Sequence, residues 1–90
     1  MVSNNERVQE TLFKGLVKSF VTNAKINLGM EKNPLTGEKA KNLNQAKQQI
    51  NMLEMLQAKT KGNLSEKEQS FIDKKTSDLK KMYVQEKMEQ

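Results

Sequence analysis

The sequence predicts an all-α protein: three amphipathic helices, a long first helix followed by an antiparallel hairpin of helices two and three, assembled as a dimer. Three observations predict it. Apolar residues recur at helical spacing in three segments, a capping pattern opens each segment, and a glycine stands just past the end of the first two. The expected organisation is a single helical domain over 1–90, with helices at about 4–28, 43–61 and 66–87 and an ordered loop at 29–42.

Helix one opens at Ser3, whose partner in the capping box would be Glu6, and Gly29 is placed to end it in the left-handed conformation. Placed at 100° intervals, Val8, Leu12, Phe13, Leu16, Val17, Phe20, Val21, Ala24 and Leu28 sweep roughly 220° of its surface. Lys14, Lys18, Lys25, Thr11 and Thr22 form the one plainly polar strip. A helix lying on one hairpin needs little more than about 100° of apolar surface, so the excess must face something.

The connection "GMEKNPLTGEKAKN" is long for a loop without structure of its own. Asn33 before Pro34 is pushed toward extended geometry, Pro34 suits the second position of a turn, and Gly37 supplies a positive φ. Met30 and Leu35 are expected to anchor this loop on the helices, so that Asn33, Pro34, Leu35, Thr36 and Gly37 form a structured turn. Thr36, Gly37 and Lys39 are residues that can hold a phosphate, but no strand or phosphate-loop pattern accompanies them, and the turn reading is preferred.

Asn42 with Gln45 opens helix two, whose main stripe is Leu43, Ala46, Ile50 and Leu53. A shoulder of Met52, Met55 and Leu56 points away from that stripe. Gly62 stops the helix, and the short link "KGNLS" forces an antiparallel hairpin with Leu64 tucked beneath the turn. Ser65 with Glu68 then caps helix three, where Phe71, Ile72, Leu79, Met82 and Tyr83 occupy about 120°.

Composition limits what such a chain can be. Leu, Ile, Val and Phe supply 20 of the 90 residues, enough for one modest core that a disulfide, a metal or a partner chain would commonly supplement. The chain has no cysteine and no histidine, so the supplement expected is a second copy. A homodimer is therefore expected, with another protein as a further candidate partner; neither a metal nor a cofactor nor a membrane is expected. The interface residues would be Leu12, Phe13, Gly15, Leu16, Val17 and Phe20 of helix one with Met52, Met55 and Leu56 of helix two. Lys14 and Lys18 would lie at its rim. No apolar run is long enough to span a bilayer and the first ten residues do not read as a signal peptide, so the expected compartment is the cytoplasm.

The blocks "LFKGLV", "NPLTGEK" and "LEMLQAKTKGNLSEKE", with "YV" near the end, resemble a bacterial family catalogued as domain of unknown function 1844, over roughly residues 11 to 85. The resemblance implies a short, cytoplasmic, helical bacterial protein. It implies no reaction and no functional residues.

The residues themselves give little chemistry. Without histidine or cysteine the commonest general base and the best nucleophile are missing. Glu54, Lys59 and Asp73 lack a cooperating second group, and Asp73 and Asp78 fall on opposite sides of helix three. No enzyme is expected. The net charge of +5 invites a nucleic-acid reading, but it is spread as +2 over 1–28 and +1 over each of 29–42, 43–60 and 61–90. Lys67, Lys74 and Lys81 share one line on helix three with no interleaved aromatic for base stacking. Nucleic-acid or polyanion binding through these dispersed lysines is the alternative to a non-enzymatic protein that self-associates and acts through protein–protein interaction.

Overall fold

The structure is a computed structural model and describes residues 4–89. It contains three α-helices: α1 (Asn4–Asn27), α2 (Leu43–Thr60) and α3 (Glu66–Met88), each in contact with the other two. No strand occurs among the described residues. Each boundary lies within a residue or so of the one expected.

The caps explain those boundaries. Ser3, expected to open α1, lies outside the described residues. The Leu28 N–H still donates to the Ala24 carbonyl, then Gly29 turns to φ 79°; its N–H donates to Ile26 and that of Met30 to Lys25. This pair of bonds is a Schellman closure, which satisfies the last carbonyls of α1. Asn42 caps α2 by accepting from the Gln45 N–H at 3.1 Å. Ser65 and Glu68 close the full reciprocal box at the start of α3. Gly62 supplies φ 87° in the link between them.

Leu28 and Lys41 pair as an isolated antiparallel bridge, and the Asn42 N–H donates to the Asn27 carbonyl at 2.7 Å. The long connection therefore leaves and returns at one end of the bundle, and α1 runs antiparallel to α2. The core is Val17, Val21, Ala24 and Leu28 of α1 and its end, Ala46, Ile50 and Leu53 of α2, and Ile72 and Leu79 of α3. Phe13, Phe20, Leu43, Leu56, Leu64, Phe71, Met82 and Tyr83 pack around it, partly buried. The stripe expected on α2 and the face expected on α3 are thus the ones that turn inward. Thr76 joins them at 2% exposed, on the core side of α3 where the apolar pattern did not place it.

Polar ties line the edges of α3. Asp73 accepts from Gln57 across the α2–α3 edge and from Gln69 on its own helix, both at 2.8 Å. Lys80 pairs with Glu54 at 3.0 Å. Toward α1, the ammonium groups of Lys14 and Lys75 stand 5.8 and 5.6 Å from the centre of the Phe71 ring.

Candidate functional site

The geometry of α3's contacts shows what lies on the remaining face. On α1, Lys14 reaches Phe71 and so marks the flank toward α3; at 100° per residue Leu16 falls on the other flank, toward α2, while Leu12 and Val8 turn progressively to the outer side of the helix. On α2, Glu54 and Gln57 reach α3, so Met52 and Leu56 fall on the flank toward α1, with Met55 pointing outward. The antiparallel register set by Leu28 and Lys41 brings Leu16 level with the turn around Leu53.

An apolar seam results. Phe13, Phe20 and Leu56 form its half-buried floor, packed against the core. Leu12 is 66% exposed, Leu16 46%, Met52 46% and Met55 51%. Val8, at 55% exposed, extends the line along α1 in steps of four. Exposure of single large apolar side chains is ordinary; several on one face is not. Val8 had the right helical angle but was not assigned to the interface, because the end of a helix pattern does not show where the hairpin beneath it stops.

Three expectations need correction. Val17 is fully buried, since it belongs to the chain's own core with Leu53 and Ile72, and it offers nothing to a partner. Lys14 does not border the seam; Phe71 and Glu10, at 3.7 Å, draw it to the opposite flank. Leu35 does not dock on the helices and is 93% exposed. Met30, the other expected anchor, is 38% exposed.

The loop is ordered all the same, by bonds within itself. The Asn33 side-chain oxygen accepts from the Leu35 N–H at 2.8 Å, an Asx turn that extends over Pro34. The Asn33 carbonyl accepts from Gly37 at 2.7 Å and from Thr36 at 3.3 Å, and the Asn33 N–H donates to Glu38 at 2.9 Å. The Thr36 hydroxyl accepts from the Glu38 N–H at 3.3 Å, and Gly37 completes the turn at φ 72°. With its polar backbone groups satisfied by one another, the turn needs no apolar anchor. Leu35 is left at its tip.

Gly15 lies on the outer face of α1, with open space where a β-carbon would stand. Its carbonyl accepts from the Ser19 hydroxyl at 3.1 Å. The lysines of the alternative reading, Lys67, Lys74 and Lys81, are all exposed; Lys67 lines a groove with Arg7, Glu10, Thr11 and Lys14 of α1, and Lys74 is held by Asp78 at 3.6 Å. Asp73 and Glu54, weighed as catalytic groups, are engaged in the α2–α3 ties described above.

These features define a small three-helix protein whose most distinctive surface is apolar and runs along the outer side of α1 beside Met52 and Met55 of α2. The chain belongs to the family described as Domain of unknown function (DUF1844), whose family model matches residues 10–85. No curated protein and no solved structure matches it. No helix among the described residues is long and apolar enough to cross a membrane.

Proposed function

We propose that this is a non-enzymatic protein that works by association, pairing with a second copy of itself through the α1–α2 seam. The observation that carries the reading is the outward line of Val8, Leu12 and Leu16. Its members recur every four residues, so the line reads the same from either end about Leu12. An antiparallel two-fold pairing sets Leu12 against its own mate and Val8 against the partner's Leu16, which is the self-complementarity a symmetric interface requires. Gly15 then stands opposite Gln9 and lets the backbones approach. Met52 and Met55 flank the crossing with flexible side chains that adapt to what they meet.

Magnitudes support a modest dimer. Each of the five side chains is near half exposed, so its burial contributes on the order of 1 kcal/mol. Two copies together gain about 10 kcal/mol, within the range of about 4–15 kcal/mol that association costs. Pairing is expected to depend on concentration. Light scattering across micromolar to millimolar protein tests it: the mass is expected to rise from 10.3 kDa toward twice that value, and Leu12→Asp is expected to hold it at the lower figure. A wild-type mass of one chain at all concentrations overturns the reading.

A further inference from the structure

Positive charge that is evenly spread along the sequence is gathered in space. On α1, Arg7, Lys18 and Lys25 fall within about 40° of Lys14, so four cations form one row about 27 Å long. Lys14 marks the flank toward α3, and the row therefore borders the junction of the two helices. α3 adds to it from the other side. Lys67 lines one groove with Arg7, Glu10, Thr11 and Lys14, and Lys75 meets Lys14 over the Phe71 ring.

Little negative charge offsets this row. Glu6 and Glu10 are the only acidic residues of α1, and both lie in its first two turns. Glu10 pairs with Lys14 at 3.7 Å, and Glu6 lines an adjoining groove with Glu68, which is bound into the cap of α3. Across the junction, Asp78 is taken up by Lys74. Arg7, Lys18, Lys25, Lys67 and Lys75 pair with no carboxylate among the described residues. Like charges one turn apart, such as Lys14 and Lys18, repel, and an anion lying along the row removes that repulsion.

The shape of the row selects among anions. A small anion would meet only a few of these cations, whereas a chain of phosphates meets them in succession. An anionic bilayer takes in apolar side chains beside the cations that bind its headgroups. Here the exposed apolar line through Leu12 lies about 140° round α1 from the row. A groove between two helices instead takes one phosphodiester backbone lengthwise. We propose that the α1–α3 junction binds single-stranded nucleic acid through its phosphates, without regard to base sequence. This contact lies on the opposite flank of α1 from Leu16 and does not depend on pairing of the chains.

Fluorescence anisotropy of a labelled oligothymidine of about 20 nucleotides tests it. The native chain is expected to bind at low salt. Log affinity is expected to fall against log salt with a slope of about −3 or steeper, as four or more phosphate contacts at about 0.7 each require. Arg7→Gln combined with Lys18→Gln is expected to weaken binding at least about tenfold and to flatten the slope by about 1.4. Lys47→Gln combined with Lys59→Gln removes the same charge from exposed positions on α2, and is expected to change affinity by less than about twofold. No binding at low salt overturns the proposal. Equal losses from the two pairs also overturn it, because net charge rather than the row would then do the binding. Vesicles of anionic phospholipid are expected not to sediment the protein. Vesicle binding without oligonucleotide binding would assign the row to a membrane and overturn the proposal as well.

Discussion

Lys41 pairs with Glu86, and the aliphatic stem of the same lysine lies over Gly29. One side chain thus ties the return of the long connection both to the end of α1 and to the last turns of α3. The pair joins segments far apart in sequence, and it fixes the end of the bundle at which the Leu35 turn stands.

The pair has a pH signature. The hydrogen bond to Glu86 raises the Lys41 ammonium above its ordinary value of 10.5; partial burial opposes this, and the charges of Glu86 and Glu89 add to the rise. A lysine whose folded pKa exceeds its unfolded one stabilises the fold fully below the unfolded value and loses that contribution as pH climbs through the folded one. Comparing native protein with Lys41→Met by chemical denaturation, the stability difference is expected to stay constant from neutral pH upward and to shrink only above pH 10.5. A difference that persists unchanged well above that pH would assign the effect to packing of the stem instead of the charge.

The stem itself makes the glycines unequal. A β-carbon on Gly29 would stand 2.7 Å from Lys41 Cγ, whereas one on Gly62 would meet nothing within 4 Å. Both residues have positive φ, so both substitutions strain the backbone. Gly62→Ala is expected to cost about 1 kcal/mol, from the dihedral alone. Gly29→Ala adds displacement of the Lys41 stem and is expected to cost roughly 2 kcal/mol, still short of a core cavity. Urea midpoints measured side by side check the order.

Thr76 carries the one polar side chain among the buried residues of the core, and its hydroxyl has no hydrogen-bond partner among the described residues. Such a hydroxyl loses its water without replacement. Thr76→Val keeps the shape and removes the deficit, and is expected to stabilise by about 1 kcal/mol. A destabilising result in thermal or urea unfolding would show that the hydroxyl is satisfied in solution.

Much of the architecture was legible because local chemistry determines it. Asn42 with Gln45 and Ser65 with Glu68 cap their helices through backbone groups three residues away, and Gly29, Gly37 and Gly62 adopt the φ that only glycine enters cheaply. Leu43, Ala46, Ile50 and Leu53 face inward as their period demands. What stayed hidden depends on distant partners. The period assigns Val17 to the broad apolar arc of α1, but only the position of α2 and α3 decides that it belongs to the core while Leu12 and Leu16 do not. Hydrophobicity suggests that Leu35 docks; the bonds that close its turn make docking unnecessary.

Leu35 supplies a stability test of that correction. A leucine docked on the helices would cost about 1–3 kcal/mol on truncation. At 93% exposed it has almost no burial to lose, so Leu35→Ala is expected to shift monomer stability by no more than about 0.5 kcal/mol. Unfolding should be followed at low micromolar protein, where association does not contribute. Asn33→Ala makes the informative contrast. It removes the oxygen that accepts from the Leu35 N–H and loosens the turn, and a loss of about 1 kcal/mol is expected from it. If instead Leu35→Ala were the costlier change, the loop would lie against the bundle.

The last test separates core from seam on a single helix. Val17 is fully buried, and Leu16, its immediate neighbour, is 46% exposed on the flank toward α2. Truncating Val17 to Ala leaves a void in the core cluster, and is expected to lower the stability of the isolated chain by about 2 kcal/mol. Leu16→Ser removes a side chain already half in water and is expected to cost the isolated chain about 1 kcal/mol or less. Association should respond in the opposite order. In a symmetric pair each substitution occurs twice, so Leu16→Ser removes two contacts and is expected to weaken pairing by at least about tenfold, the equivalent of 1.4 kcal/mol. Val17→Ala should leave pairing nearly intact at temperatures where the fold holds. Sedimentation equilibrium alongside urea unfolding reads both quantities from the same samples. Proportional losses in the two measurements, for both variants, would mean that α1 has one shared core and no separable seam.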